Sequence, residues 1–424
     1  MNASRNAPRG VAESPYAWAR LVTALLLSSI GGVGMYAMSV VLPLVQADFG
    51  VARGEASLPY TVTMIGFGLG GILMGRLSDR FGVIVPVLLG GLCLGAGFVA
   101  AGSAGALWQF AAVHGLLIGL LGCSATFAPL IADISLWFNR RRGIAIAICA
   151  SGNYVAGAVW PPVLQHFFER YGWRATYIGT GLFCAAAITL LALLLRRRPP
   201  ELEAASPAAV SRFTIRDTDR PLGLAPGGLM ALLSVAGVAC CVAMSMPQVH
   251  IVAYCADLGY GAARGARMLS LMLGFGIVSR LVSGWISDHI GGLRTLLLGS
   301  TLQGIALLMF LPFDGVSSLY AVSAMFGLFQ GGIVPSYALI VREHFRPEEA
   351  GMRVSVVLTA TLFGMALGGW MSGAIFDLTG SYRAAFMNGI GWNLLNLTIA
   401  FALLRRSPTF VPARASSIAP RAAR

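Results

Sequence analysis

The sequence contains no lysine: all thirty of its basic residues are arginines, and a guanidinium keeps its charge in a protein whatever surrounds it. Charge of either sign is scarce. Only 11% of the 424 residues are charged while 57% are hydrophobic, and the mean hydropathy of +0.75 leaves too little polar surface to cover a water-soluble globule. The seven cysteines (Cys93, Cys123, Cys149, Cys184, Cys240, Cys241 and Cys255) form neither a CxxC pair nor a histidine-spaced cluster, so they read as small core residues and not as a metal site or disulfide framework. Glycine-rich phosphate loops, nucleophile–base pairs and an ATP-binding domain are missing too, which argues against an enzyme, a cofactor or a nucleotide-driven pump. The polar N-terminal stretch leads into an apolar run too long for the core of a signal peptide, so that run is expected to stay.

What is present is long apolar runs. Twelve of them, each near the roughly 20 residues that cross about 30 Å of hydrocarbon as a helix, fall at about 21–46, 58–77, 83–103, 107–137, 144–168, 175–195, 226–256, 264–287, 293–313, 316–341, 354–376 and 384–404. A net charge of +13 raises the question of nucleic acid, but the distribution of the arginines answers it. With the N-terminus in the cytoplasm, only Arg53, Arg170, Arg174, Arg264, Arg267 and Arg383 fall outside, and the rest, Arg280 excepted, fall inside. The bias predicts a multi-pass integral protein of a cell membrane, in bacteria the inner one, with both termini cytoplasmic and no nucleic-acid partner.

Between Arg196 and Pro226 the apolar pattern stops, and the sequence predicts two six-span halves: residues 1–195, a cytoplasmic linker at 196–225, residues 226–404 and a cytoplasmic tail at 405–424. "GRLSDRFG" (from Gly75) matches "GWISDHIG" (from Gly284), and "WRATY" (from Trp173) matches "YRAAF" (from Tyr382), both 209 positions apart. Two matches at one offset indicate an internal duplication. Parallel halves of this kind make a central site that can open alternately to each side of a membrane.

"GRLSDRFG" resembles the loop signature G-x-x-x-D-R-x-G of the major facilitator superfamily, and the resemblance covers the whole chain. It implies an all-α membrane fold of twelve transmembrane helices in two pseudo-symmetric six-helix bundles. Together with an arginine in the eighth run, "WFNRRRGIAIAICASG" (from Trp137) is most similar to the monocarboxylate and oxalate:formate branch. Three departures stand against it. "VIVP" follows Gly82 where a basic pair usually completes the signature, the lysine some members carry in span one or eleven is absent, and Gly276 replaces an acid often found a turn before the arginine.

In the signature, Asp79 can pair with Arg80 or with the Arg140–Arg142 cluster and can cap a neighbouring helix, contacts that would break as the halves rock; Gly75 and Gly82 would allow close approach. Gly75, Asp79, Arg80 and Gly82, with their echoes Gly284, Asp288 and Gly291, are therefore the gating candidates, while the alternative for the arginines is a solvated charge that sets topology. Glycines in the second span (Gly66, Gly68, Gly70, Gly71, Gly75) and the eleventh (Gly364, Gly368, Gly369, Gly373) give small faces for tight packing, either between the halves or within each bundle.

Arg280 lies eight residues before Asp288, roughly 12 Å from the span's cytoplasmic end. A charge at that depth costs about 3 kcal/mol or more unless something neutralises it. Asp133 is the one acid placed within a span, near its cytoplasmic end and close to Arg140, so an incoming carboxylate is the expected partner. One deep cation favours a monocarboxylate over a dicarboxylate. His250 is the first proton-coupling candidate because imidazole titrates near neutral pH, with His114 and His166 behind it; a plain helix–helix hydrogen bond is the competing role. By the resemblance, spans one, four, seven and ten line the cavity, so Tyr36, Ser124, Phe127, Gln330 and Tyr337 join Arg280 as candidates, with Asn153, Tyr154 and Tyr254 beside them. The leading expectation is a proton-coupled permease for small carboxylates working by alternating access; proton-driven efflux, carboxylate exchange and a non-transporting membrane sensor are the others.

Overall fold

The computed structural model of the protein describes residues 13–138, 141–197 and 221–407. Twelve helices in it are long and apolar enough to cross a bilayer. The first half contains α1 (Pro15–Phe49), α2 (Arg53–Phe81), α3 (Ile84–Gly102), α4 (Leu107–Trp137), α5 (Arg142–Tyr171) and α6 (Trp173–Leu195). The second contains α7 (Pro226–Asp257), α8 (Ala262–Ile290), α9 (Gly292–Met309), α10 (Val316–His344), α11 (Glu349–Thr379) and α12 (Tyr382–Arg406). The chain is an integral, multi-pass membrane protein. Most of the segment expected as the linker, the tail beyond Ser407, and Arg140 lie outside the described residues.

The helices run past the apolar stretches that announce them, because backbone hydrogen bonding continues until a cap stops it. Thus α1 starts at Pro15, six residues before its apolar run, with the Ser14 hydroxyl accepting from the Ala17 amide at 3.3 Å. Glycines in left-handed or otherwise positive-φ conformations end α2 and α8: Gly82 and Gly291 both have φ of 83°. The end of the bundle that carries the start of α1 and the ends of α6 and α12 is the linker end; the opposite one is the far end.

Three spans are broken in mid-course. Helix α1 is interrupted at Gly32, α10 at Gly331–Gly332, and α4 passes through a π-helical stretch, His114–Gly122, and a 3-10 turn, Cys123–Thr126, before resuming at Ala128. The π turn packs against glycines of α2: a Cβ on Gly66 would stand 2.3 Å from the Gly115 carbonyl oxygen, and one on Gly70 2.0 Å from that of Leu120. The glycine stripes divide between the two roles open to them. Gly66 and Gly70 seat α4, and Gly364 and Gly368 seat α7, each within its own half; Gly68, Gly369 and Gly373 face the opposite half, at Leu362, Tyr60 and Arg53.

The placement of Asp133 differs from the expectation. Its partner is Arg20, a residue that the hydropathy pattern leaves in the polar N-terminal stretch but that α1 carries inside, with 2% of its surface exposed. The guanidinium is bound bidentately, Nε to Oδ2 at 2.7 Å and Nη2 to Oδ1 at 2.9 Å, and lies over the Trp137 ring at 4.7 Å. Its Nη1 donates to Tyr16 Oη and to the Arg197 carbonyl, so one arginine ties α1 to α4 and to the end of α6. Removing one partner strands a buried charge, at a cost of about 3–5 kcal/mol, whereas an apolar pair of similar volume is tolerated. Arg20→Ala is therefore expected to lower the thermal unfolding midpoint in detergent sharply, and Arg20→Met combined with Asp133→Leu to restore most of it; equal losses from both would remove the ion pair from this account.

Candidate functional site

Among the described residues, the hydrogen bonds identified between the two halves lie from the far end to mid-depth. Furthest out, the α2 residue Arg53 reaches into the second half: Nη1 and Nη2 donate to the Asp257 carboxylate at 3.0 and 3.2 Å, Nη1 also to Tyr382 Oη, and Nε to Gln46 of its own half. The Asp377 carboxylate, at the end of α11, accepts from the Arg53 and Gly54 amides at 2.8 and 2.7 Å and so caps the first turn of α2 across the interface. Deeper, Thr61 donates to the Ala366 carbonyl, and between α5 and α8 Ser270 donates to Ala158 and Arg280 to Ala150. Toward the linker end the contact fades: a Cβ on Gly71, Gly75, Gly143 or Gly284 would meet nothing within 4 Å. The halves are locked at the far end and parted at the linker end.

Arg280 sits where the parting begins. It is half-buried; Nη1 donates to the Ala150 carbonyl at 3.1 Å, and the guanidinium lies over the Tyr154 ring, 5.1 Å from its centroid. No ion pair between Arg280 and a carboxylate occurs among the described residues. Glycine lets the tyrosine in: a Cβ on Gly276, one turn before Arg280, would stand 2.5 Å from Tyr154 Cε1. Tyr36 of α1 lies against Gly157 of α5 and is an electrostatic neighbour of both Tyr154 and Arg280, while Tyr60 of α2 neighbours Tyr36 and Cys241. Five spans thus converge on one cation and three tyrosines. Its carbonyl contact and the ring, worth about 0.5–2 kcal/mol, only partly offset the charge, and most of the five N–H donors remain open to a bidentate anion.

The other candidates are dispersed. Asn153 faces the α1 break, its Oδ1 3.0 Å from where a Gly32 Cβ would stand. Ser124 and Phe127 lie at the α4 break, with the Ser124 hydroxyl on the Leu120 carbonyl and Phe127 against Phe67. Gln330 is fully buried and accepts from Gln248 at 2.9 Å, its Nε2 having no partner among the described residues, and Tyr337 donates to Asn396 inside the second half. His250 belongs to the far-end lock: Nε2 is 2.8 Å from the Gly369 carbonyl oxygen and Nδ1 3.2 Å from Tyr382 Oη, with Tyr254 packed on the Tyr382 ring. His114 is buried beside Thr63, and His166 stands against Phe167. At the linker end Asp79, Arg80 and Asp288 are exposed, and the Arg80 guanidinium lies over Phe81; Gly82 and Gly291 act there as positive-φ helix ends.

The far-end lock was not expected from sequence. Hydropathy places Arg53 outside, between the first two apolar runs, yet it is 6% exposed and is the first residue of α2. A signal for it existed: "ADFG" (Ala47–Gly50) and "ADLG" (Ala256–Gly259) repeat at the same 209-position offset and mark Asp48 and Asp257 as equivalents. Tyr382 both accepts from Arg53 and contacts His250, so Tyr382→Phe leaves two buried groups each short of a partner. A loss of about 1–3 kcal/mol is expected, seen as a lower thermal midpoint than wild type; an unchanged midpoint would mean the hydroxyl contributes nothing to the lock.

The sequence profile of the major facilitator superfamily matches residues 24–318 and 281–423. The chain is 28% identical over 317 residues to monocarboxylate transporter 13 of Bos taurus, covering 73% of this chain and 71% of that one, and 23% identical over 335 residues to the agnestins efflux protein AgnL12 of Paecilomyces divaricatus, covering 78% and 74%. Among solved structures, a bacterial homologue of the human lysosomal transporter Spinster, inward-facing and unoccupied, superposes with a TM-score of 0.70 at 14% identity, over 93% of this chain and 98% of that one.

Proposed function

Because the chain is a membrane transporter belonging to the major facilitator superfamily, we propose that its cargo is a small organic monocarboxylate, bound through Arg280 and carried by alternating access together with a proton. The observation that carries this reading is a guanidinium at mid-depth, in contact with both halves, whose only partners among the described residues are a backbone carbonyl and an aromatic ring. A carboxylate supplies the missing charge and two parallel acceptors. Tyr36, Tyr60 and Tyr154 offer hydroxyl donors and apolar ring faces for the remainder of a small acid. The similarity to monocarboxylate transporter 13 supports the same cargo class.

In this reading the linker end is cytoplasmic, as the arginine bias predicts, and the far-locked, linker-open arrangement is the inward-facing state. His250 is the proton carrier. Its Nε2 faces a carbonyl oxygen and so holds a hydrogen, and a second proton at Nδ1 would turn Tyr382 away and set a new positive charge facing Arg53. Protonation would thus weaken the lock and favour far-end opening, tying proton binding to the access change.

Arg280→Ala protein is expected to reach the membrane and to retain its thermal midpoint within a few degrees, while carboxylate uptake into proteoliposomes falls to background; wild-type uptake by this variant would defeat the assignment. Gly276→Ala should displace Tyr154 and raise KM with less effect on the maximal rate. His250→Gln should flatten the acid-stimulated component of uptake but leave carboxylate exchange across a pH-matched membrane, and a preserved pH profile would transfer the proton elsewhere. The similarity to AgnL12, together with the aromatic lining, favours as second reading the export of larger apolar acids by proton exchange; a thermal-shift panel of small and aromatic carboxylates separates the two.

A further inference from the structure

The duplication lets each half be read as a template for the other at the far end. In the first half, Asp48 at the end of α1 pairs with Arg174 in the first turn of α6, Nη2 to Oδ2 at 2.7 Å. Arg174 also donates to the Ala104 carbonyl at 2.6 Å and lies over the Trp173 ring at 4.5 Å. This contact stays inside one half. The 209-position offset maps Asp48 onto Asp257, Trp173 onto Tyr382 and Arg174 onto Arg383. The equivalent pair in the second half, Asp257 with Arg383, is not made: Asp257 is bound to Arg53 of the first half, while Arg383 is exposed and forms no ion pair among the described residues. Arg53 itself has no counterpart, since the offset places Ala262 there. One half therefore contributes an additional cation that diverts the other half's carboxylate.

We infer that Asp257 exchanges partners during the transport cycle, binding Arg53 when the far end is closed and Arg383 when it is open. The second pair reproduces in α7 and α12 the contact that α1 and α6 already hold. The exchange offsets the cost of breaking the lock, because the carboxylate leaves one guanidinium for another and is never stranded. Both Asp257 and Arg383 sit on second-half helix ends, so the open-state pair needs no contact with the first half. Asp314, which like Arg383 is an electrostatic neighbour of Tyr254, is the competing acid for Arg383 and serves as the control.

The inference rests on the alternating motion proposed above but not on the identity of the cargo. Spin labels on Ser103→Cys and Ser317→Cys, exposed far-end positions in opposite halves, report the far-end separation by double electron–electron resonance in a Cys93→Ser background that removes the one native thiol that is not buried. Wild type should show a short and a long population. Arg53→Gln should enlarge the long one, whereas Arg383→Gln should shrink it by about threefold or more, the scale of one surface-exposed ion pair. Arg383→Lys should retain it and Asp314→Asn should leave it unchanged. In an Asp257→Asn background, Arg383→Gln should have no further effect. A long population untouched by Arg383→Gln, or reduced equally with and without Asp257, overturns the exchange while leaving the motion standing. A single distance in every variant, Arg53→Gln included, overturns the motion and the exchange with it.

Discussion

A guanidinium cannot shed its proton in the low-dielectric interior of a membrane protein, so each one buried there must be matched by something with the opposite charge or be left electrostatically hungry. Three arginines meet this constraint in three ways. Arg20 is held bidentately by Asp133 within one bundle and braces three helices of it. Arg53 is matched by a carboxylate of the opposite bundle, which makes its neutralisation conditional on how the halves stand. Arg280 has no carboxylate at all among the described residues and rests on a carbonyl and a ring. Brace, bolt and the binding group proposed for Arg280 differ only in where the counter-charge comes from.

The spans and their number were legible because hydropathy reports directly on burial in hydrocarbon, and the two-half architecture because the duplication left matching segments on both sides of the linker. Arg280 was legible for the same reason: it interrupts an apolar run. Arg20 and Arg53 were not, because both occupy helix ends beyond the apolar stretch, where hydropathy falls to the values of a loop although the helix and its packing continue. The lining residues fared unevenly. Tyr36 and Tyr154 converge on Arg280, but Tyr337 and His250 sit at apolar positions indistinguishable in sequence from cavity-facing ones, and only the rotation of each helix turns Tyr337 onto Asn396 of its own bundle and His250 onto Tyr382 and the Gly369 carbonyl. Rotation about a helix axis that is apolar on every side leaves almost no trace in composition.

The two layers of chemistry lie close to one another. Tyr60 packs on Gly369, whose carbonyl contacts His250, and His250 meets the Tyr382 hydroxyl that binds Arg53. Tyr60 is in turn an electrostatic neighbour of Tyr36, beside Arg280. A series of neighbouring groups therefore lies between the mid-depth cation and the far-end lock, crossing the interface between the halves where α2 meets α11.

The interruptions of α4 and α10 follow the same duplication, since Gly122, which ends the π-helical stretch, and Gly331, which opens the turn in α10, stand 209 positions apart. Each bundle thus inherited an articulated joint at matching depth. With α1 and α4 broken in one half and α10 in the other, neither half is built of unbroken rods alone. A span interrupted in this way is two shorter rods joined by a turn, each of which packs in its own direction.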